Sequence, residues 1–158
     1  MLSEISTDAT ETPAQDSLLR WRQATLDGND AFRSGHYEQA IGHYDLALTM
    51  ADTLFGQIDD ADAGMAAYVI AHHNLADTYD RLGNPSLRRL HLCLPHETLC
   101  AAMNDRVLPE QWQVAAQNHS RRTYTELTRY LSDHPDDIEA RRVSNQGAAG
   151  MTHGVSVQ

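Results

Sequence analysis

The segment from Gly28 to Leu48 constrains the fold more than any other part of the chain. Its second half carries apolar residues at a period of about 3.6 residues, and the stripe continues to Phe55. Ser34-Gly35 separates this stripe from an earlier one that opens near Ser17, and glycine commonly follows a helix C-terminus. Two helices joined by about three residues must pack antiparallel. The segment therefore predicts a helical hairpin.

Similar patterns fill the chain beyond this hairpin. A third helix is predicted over about 63–82, and a fourth begins at Pro85. This fourth helix is expected to kink or restart at Pro95, because proline removes one helical hydrogen bond and clashes with the preceding turn. A last long helix is predicted from Pro109 and ends before Pro135. Since strand patterns are scarce, the prediction is an all-α fold of five or six helices.

The length of 158 residues suits one domain with a real core. Residues 1–16 are polar and acidic with little to bury, so they predict a flexible N-terminal arm. Residues 17–142 carry the helical patterns and form the predicted domain. Residues 143–158 contain Gly, Ser and Asn without periodicity, which indicates a disordered C-terminal tail.

Two segments, GNDAFRSGHYEQAIGHYDLAL from Gly28 and LADTYDRLGN from Leu75, resemble the tetratricopeptide repeat, a helix-turn-helix unit of about 34 residues. The matching positions of the first copy are Gly28, Gly35, Tyr37, Ala40, Tyr44 and Ala47. The second copy matches through Leu75, Ala76, Tyr79 and Gly83. It departs from the pattern at Arg88 and Pro95, where small residues are usual.

The resemblance implies antiparallel helix pairs stacked as a short α-solenoid, with the long C-terminal helix as a cap. More loosely, VIAHHNLADTYDRLG and YTELTRYLSDHP are similar to segments of an uncharacterised group of small proteobacterial proteins with this repeat. That group carries no assigned chemistry. The chain is therefore expected to be a protein–protein interaction module, of adaptor or co-chaperone type, that binds a partner segment in the groove of the repeats.

The resemblance also implies which residues line that groove. They are Arg22, Thr25, Asn29, Arg33, His73, Asn74, Asp77, Asp80, Arg81, Arg121 and Arg122. Asn29 and Asn74 fall at positions that hold a partner's C-terminal carboxylate in chaperone-binding members of the family. Thr25 stands in place of the lysine of that clamp, and Arg121 and Arg122 are expected to supply positive charge instead.

The formal charge of −10, from 22 acidic and 12 basic residues, argues against nucleic acid as a partner. All twelve basic residues are arginine. The N-terminus has no apolar region typical of a signal peptide, and no segment has the roughly 20 apolar residues of a membrane span. Cytoplasmic localisation without membrane attachment is the resulting expectation, with reduced thiols.

A group of soft metal ligands occurs within ten residues, namely His91, Cys93, His96 and Cys100. The last three would share one face of an uninterrupted helix, as a zinc site requires. Pro95 interrupts this spacing, and buried reduced cysteines are common in protein cores. Packing is therefore the preferred interpretation, with metal binding as an alternative, and no cofactor is expected.

Catalytic motifs are absent from the sequence: it has no Gly-rich phosphate loop, nucleophile elbow or zinc-protease signature. His72 and His73 are adjacent on a helix, so they point about 100° apart and cannot act on one atom together. A role other than catalysis is therefore expected. The alternatives are a self-associating helical protein, with a possible homodimer, and a chaperone for a secreted protein.

Overall fold

The computed structural model describes residues 12–152, and for residues 147–152 it describes only the helical backbone. This part of the chain forms six α-helices and contains no strand. Their bounds are Pro13–Arg33 (α1), Tyr37–Leu54 (α2), Ala61–Arg81 (α3), Pro85–Ala102 (α4), Glu110–Asp133 (α5) and Ile138–Thr152 (α6). The all-α prediction is confirmed. None of these helices has the length and apolar character needed to cross a bilayer.

The ends of the helices follow from their local sequence. The Asp60 carboxylate accepts a hydrogen bond from the Ala63 amide at 3.0 Å, and the Asn84 side chain accepts one from the Leu87 amide at 3.1 Å. Gly35 and Gly83 adopt φ values of 75° and 68° just after α1 and α3. Because this left-handed conformation is unstrained only for glycine, both helices stop there and the chain reverses within three residues.

Each helix packs against its neighbours along the chain. The pairs α1–α2 and α3–α4 are antiparallel because their connections are so short. α3 also contacts α1 on one side and α5 on the other, while α4 and α5 both contact α6. The helices α1, α3 and α5 therefore lie side by side.

Close approach within this stack depends on small residues at two helix crossings. A Cβ atom on Gly28 would lie 2.5 Å from Cε1 of Tyr44, and one on Gly64 would lie 2.5 Å from Cη2 of Trp112. Trp112 is completely buried and donates a hydrogen bond from Nε1 to the Ile58 carbonyl at 3.2 Å. The tryptophan thus ties α5 to the α2–α3 connection, in the largest of the apolar clusters.

Both ends of the predicted domain require correction. α1 begins at Pro13 rather than near Ser17, because Thr12 and Gln15 form a reciprocal capping box. The predicted tail is helical over 143–152 as part of α6, where Val143 is buried against α4 and α5. The Asp137 carboxylate caps this helix by accepting from the Ala140 amide at 3.1 Å. The remainder of the predicted arm and tail, 1–11 and 153–158, lies outside the described residues.

Of the two outcomes expected at Pro95, a kink or a restart, the restart is wrong, since α4 is one continuous helix through Pro95. Pro95 is fully buried, and α3, α5 and α6 all pack against α4. Contacts on three sides hold the helix together, so one missing backbone hydrogen bond does not end it.

Candidate functional site

The helices α1, α3 and α5 carry every residue that the sequence assigns to a binding groove. On α1, Arg22 is exposed, and Arg33 forms an exposed ion pair with Asp30 at 3.3 Å. Thr25 is buried and donates its hydroxyl to the Trp21 carbonyl at 2.8 Å. Asn29 accepts a hydrogen bond from the Tyr44 hydroxyl at 2.7 Å. The Thr25 hydroxyl and the Asn29 side-chain oxygen are thus used inside the fold.

On α3, the polar residues of the same face differ in what they contact. Asp80 pairs with Arg88 of α4 at 3.1 Å. Arg81 is exposed and places its guanidinium 5.7 Å from the centre of the Phe32 ring, which links α3 to α1. Asn74 is half-buried, and its backbone carbonyl accepts from the Thr78 hydroxyl at 2.7 Å. Asp77 is exposed and forms no ion pair within residues 12–146.

His73 stands out because it is 6% exposed and neither of its ring nitrogens has a hydrogen-bond partner in the described part of the chain. A buried polar group without a partner costs roughly 1–3 kcal/mol, so native folds contain few of them. Burial, aided by the positive charge of Arg122, lowers the pKa of His73 to about 4. The imidazole is therefore neutral near pH 7, with one donor and one acceptor left free.

The two adjacent arginines of α5 are both exposed. Arg122 is the one whose charge acts on both His73 and Asp77. Although Asp77 is exposed as a whole residue, partial desolvation of its carboxylate raises its pKa, and the nearby Glu126 carboxylate of α5 raises the pKa further. The charges of Arg122 and Glu126 therefore act across the contact between α3 and α5.

Glu126 was missed in the sequence, as was a contact between two histidines. Glu126 is adjacent to the buried Leu127, and one turn from Arg122, so a search for ionisable residues one turn apart would have found it.

His72 Nδ1 lies 3.0 Å from His91 Nδ1, and His91 also stacks on Tyr79. This pair joins α3 to α4, and no local sequence pattern predicts it.

The possible metal ligands do not converge. His91 faces His72, whereas Cys93 is buried in a cluster with Ala76 and Leu127. Burial raises the pKa of Cys93 to about 12, which disfavours the thiolate that a metal requires.

Only His96 and Cys100 of that set lie near each other, with 3.6 Å between Nε2 and Sγ. The other ring nitrogen of His96 is 2.8 Å from the Thr123 hydroxyl. Across the described residues, no group of three or more histidine, cysteine, aspartate or glutamate side chains is arranged to hold a metal ion. The proposed four-residue site is therefore not formed.

Comparison with known proteins identifies a family for the chain. No curated protein and no solved structure matches the chain. A model of the family described as "Protein of unknown function (DUF2753)" matches residues 19–153, which include all of α2 to α6 and most of α1. The chain belongs to the DUF2753 family.

Proposed function

We propose that the chain is a protein–protein interaction module that binds a segment of a partner across α1, α3 and α5. In this proposal the helices form a short tetratricopeptide-like solenoid, in which α5 and α6 close the stack. The contacts of α3 with both α1 and α5 support it. Such an arrangement presents a preformed surface to an extended or helical segment.

The observation that carries the proposal is the state of two arginines on this face. Arg22 and Arg81 form no ion pair with a carboxylate within 4 Å among the described residues. Acidic residues outnumber arginines by 22 to 12, and these two guanidinium groups are nevertheless left without a carboxylate partner in the described region. Exposed guanidinium groups on a preformed surface suit carboxylates of a partner, which they bind in a bidentate manner.

The test is recovery of partners from an extract of the native host with the full chain as bait. We expect Arg22→Gln/Arg81→Gln to lose at least about tenfold in recovery of its specific partner, since charge-assisted hydrogen bonds contribute roughly 1.5–3 kcal/mol each. Quantitative mass spectrometry measures the recovery.

The matched control is Arg106→Gln/Arg141→Gln. These two arginines are also exposed and without an ion pair in the described region, but Arg106 lies in the α4–α5 connection and Arg141 on α6. Equal losses for both double variants would contradict the proposed surface.

Self-association is a second candidate function, favoured by an apolar stripe on α4. Leu90 and Leu94 are 48% and 40% exposed and lie one turn apart. Together with Leu87 and Cys93 they line a groove of about 340 Å³ next to α6. Pairing of two chains through this stripe would remove the leucines from water.

A further inference from the structure

A groove opens where the N-terminal ends of α3 and α5 meet the connection between α2 and α3. It encloses about 440 Å³, and Ala61, Val114 and Ala115 form its apolar floor. The two alanines are buried, whereas Val114 is 48% exposed and leaves the floor open to water. An apolar group that covered Val114 would therefore be held there by the hydrophobic effect.

Contacts within the fold fix the walls of this groove. Trp112 of α5 donates from Nε1 to the carbonyl of Ile58, in the connection before α3, at 3.2 Å. His119 Nε2 of α5 lies 2.8 Å from a carboxylate oxygen of Asp62 on α3. Asp60, between these two points, caps α3 through its side chain. The groove is thus preformed, and binding in it requires little ordering of the chain.

The rim of the groove is negatively charged. Its carboxylates are those of Asp59, Asp60, Asp62 and Glu110, and none of the residues lining the groove is basic. Asp59 and Glu110 are exposed and form no ion pair within residues 12–146. The N-termini of α3 and α5 contribute about half a positive charge each, which offsets about one of the four carboxylates. The groove therefore favours a cation.

We propose that this groove binds a lysine or arginine side chain of a partner protein. Such side chains combine an apolar stem with a charged head, and the groove combines an apolar floor with a rim of carboxylates. The stem would lie on Val114, and the head would lie among the rim carboxylates. A metal ion is a poorer match, because the described residues contain no group of three or more ligands arranged to hold one.

This inference rests on the proposed function, since it names a second contact that the partner would make. Arg22 and Arg81 do not line the groove, and their free groups are cations. The partner would thus place a basic residue at the N-terminal ends of α3 and α5, and acidic residues over the two arginines. A partner without a basic residue would leave the rim carboxylates without a counter-charge.

The experiment follows amide signals of the full ¹⁵N-labelled chain by nuclear magnetic resonance during titration with two peptides that have blocked ends. One is Gly-Ser-Lys-Ser-Gly, and the other carries norleucine, which has an apolar stem without the charge, in place of lysine. At roughly physiological salt, we expect the lysine peptide to bind at least about fivefold more tightly. The largest shifts should occur at residues 59–62 and 110–118. Equal affinities, or largest shifts elsewhere, overturn the inference.

Charge variants separate a built site from general attraction to an acidic chain. Asp59→Asn/Glu110→Gln removes the two free carboxylates of the rim and should weaken binding of the lysine peptide about fivefold. The matched control is Asp45→Asn/Glu38→Gln on α2, where both positions are exposed and Glu38 lies in the first turn, as Glu110 does in α5. It should alter binding less than about twofold. Equal losses would mean that net charge, and not the groove, attracts the peptide.

Val114→Gln tests the floor without any change of charge. Because Val114 is half exposed, the fold should tolerate the polar side chain, and the lost apolar contact should weaken binding of the lysine peptide about threefold. Unchanged binding would show that the stem does not lie on Val114 and would overturn the groove as the site. If the lysine peptide fails to bind while Arg22→Gln/Arg81→Gln still loses its partner, the groove is wrong and the proposed function stands.

Discussion

At the scale of single residues, the interior of the stack is unusual in holding several neutral histidines. His72 and His73 are buried on α3, His96 is completely buried on α4, and His91 is half-buried beside His72. Burial, followed by the nearby His91 and His73, lowers the pKa of His72 to about 3. Burial also lowers the pKa of His91 and of His96. At these histidines the folded chain therefore binds fewer protons than the unfolded chain does.

This difference makes stability depend on pH in a definite direction. Below pH 6.5 the unfolded chain binds more protons at His72 and His73 than the folded chain does, so the free energy of unfolding falls as pH falls. The loss continues until the folded pKa values of about 3 and 4 are reached. At pH 5 we expect each of the two histidines to have cost about 2 kcal/mol relative to pH 8. Urea unfolding at the two pH values measures it.

His73→Leu should reduce the loss of unfolding free energy between pH 8 and pH 5 by about 2 kcal/mol, the contribution of this one histidine. His36→Gln is the matched control, because it replaces a histidine at an exposed position before α2. An unfolding free energy that stays constant between pH 8 and pH 5 would contradict the burial of neutral histidines.

Sequence reasoning at this scale placed residues on helices well and assigned their contacts poorly. The positions of His73, Asp77 and Arg122 relative to one another follow from helix period and from packing of α5 beside α3. The hydrogen bond of Asn29 to Tyr44 depends on a side chain from the next helix, which the period of α1 does not reveal. Interhelical partners are long-range properties, and one sequence carries little information about them.

At the scale of elements, the α1–α2 crossing depends on the missing side chain of Gly28. The Tyr44 ring occupies that space, and its hydroxyl is held by Asn29 at 2.7 Å, so the ring cannot move aside easily. We expect Gly28→Ala to destabilise the fold by about 1–2 kcal/mol, because overpacking exceeds the roughly 1 kcal/mol that alanine adds in helix propensity. Thermal unfolding followed by circular dichroism measures the change.

Gly42→Ala is the control for this substitution. Gly42 lies within α2, and a Cβ atom there would meet nothing within 4 Å. Alanine should therefore stabilise the protein by up to about 1 kcal/mol through propensity alone. If both substitutions stabilise, the helices can separate at Gly28 without loss, and close contact at this crossing is not important.

Elements with strong periodicity and clear end signals could be predicted, whereas those that depend on packing could not. The boundaries of α2 and α5 follow from Gly35, Pro109 and Pro135. α6 was missed because the chain from Val143 onward contains Gly, Ser and Asn without apolar periodicity. Ala140 and Val143 are buried in a cluster with residues of α4 and α5, and this packing holds the helix. The continuity of α4 through Pro95 likewise comes from its neighbours rather than from its own propensity.

At the scale of the whole molecule, the second candidate function predicts the mass of the particle in solution. If the leucine stripe on α4 pairs two chains, light scattering should give about twice 17.6 kDa, rising from the single-chain value with concentration. Leu90→Gln/Leu94→Gln should return the mass to that of one chain. A single-chain mass at all concentrations would exclude this function and leave the interaction module.

The packing of the helices also determines how the chain acquires its structure. Among the described residues, no helix contacts another that is more than two places away in chain order. Chains whose contacts are local in this way fold quickly, in microseconds to milliseconds, because little loop-closure entropy is lost before contacts form. Folding can begin at any of the helical hairpins and then propagate to the helices next to it. During synthesis on the ribosome, the α1–α2 hairpin can therefore form before α5 has been synthesised.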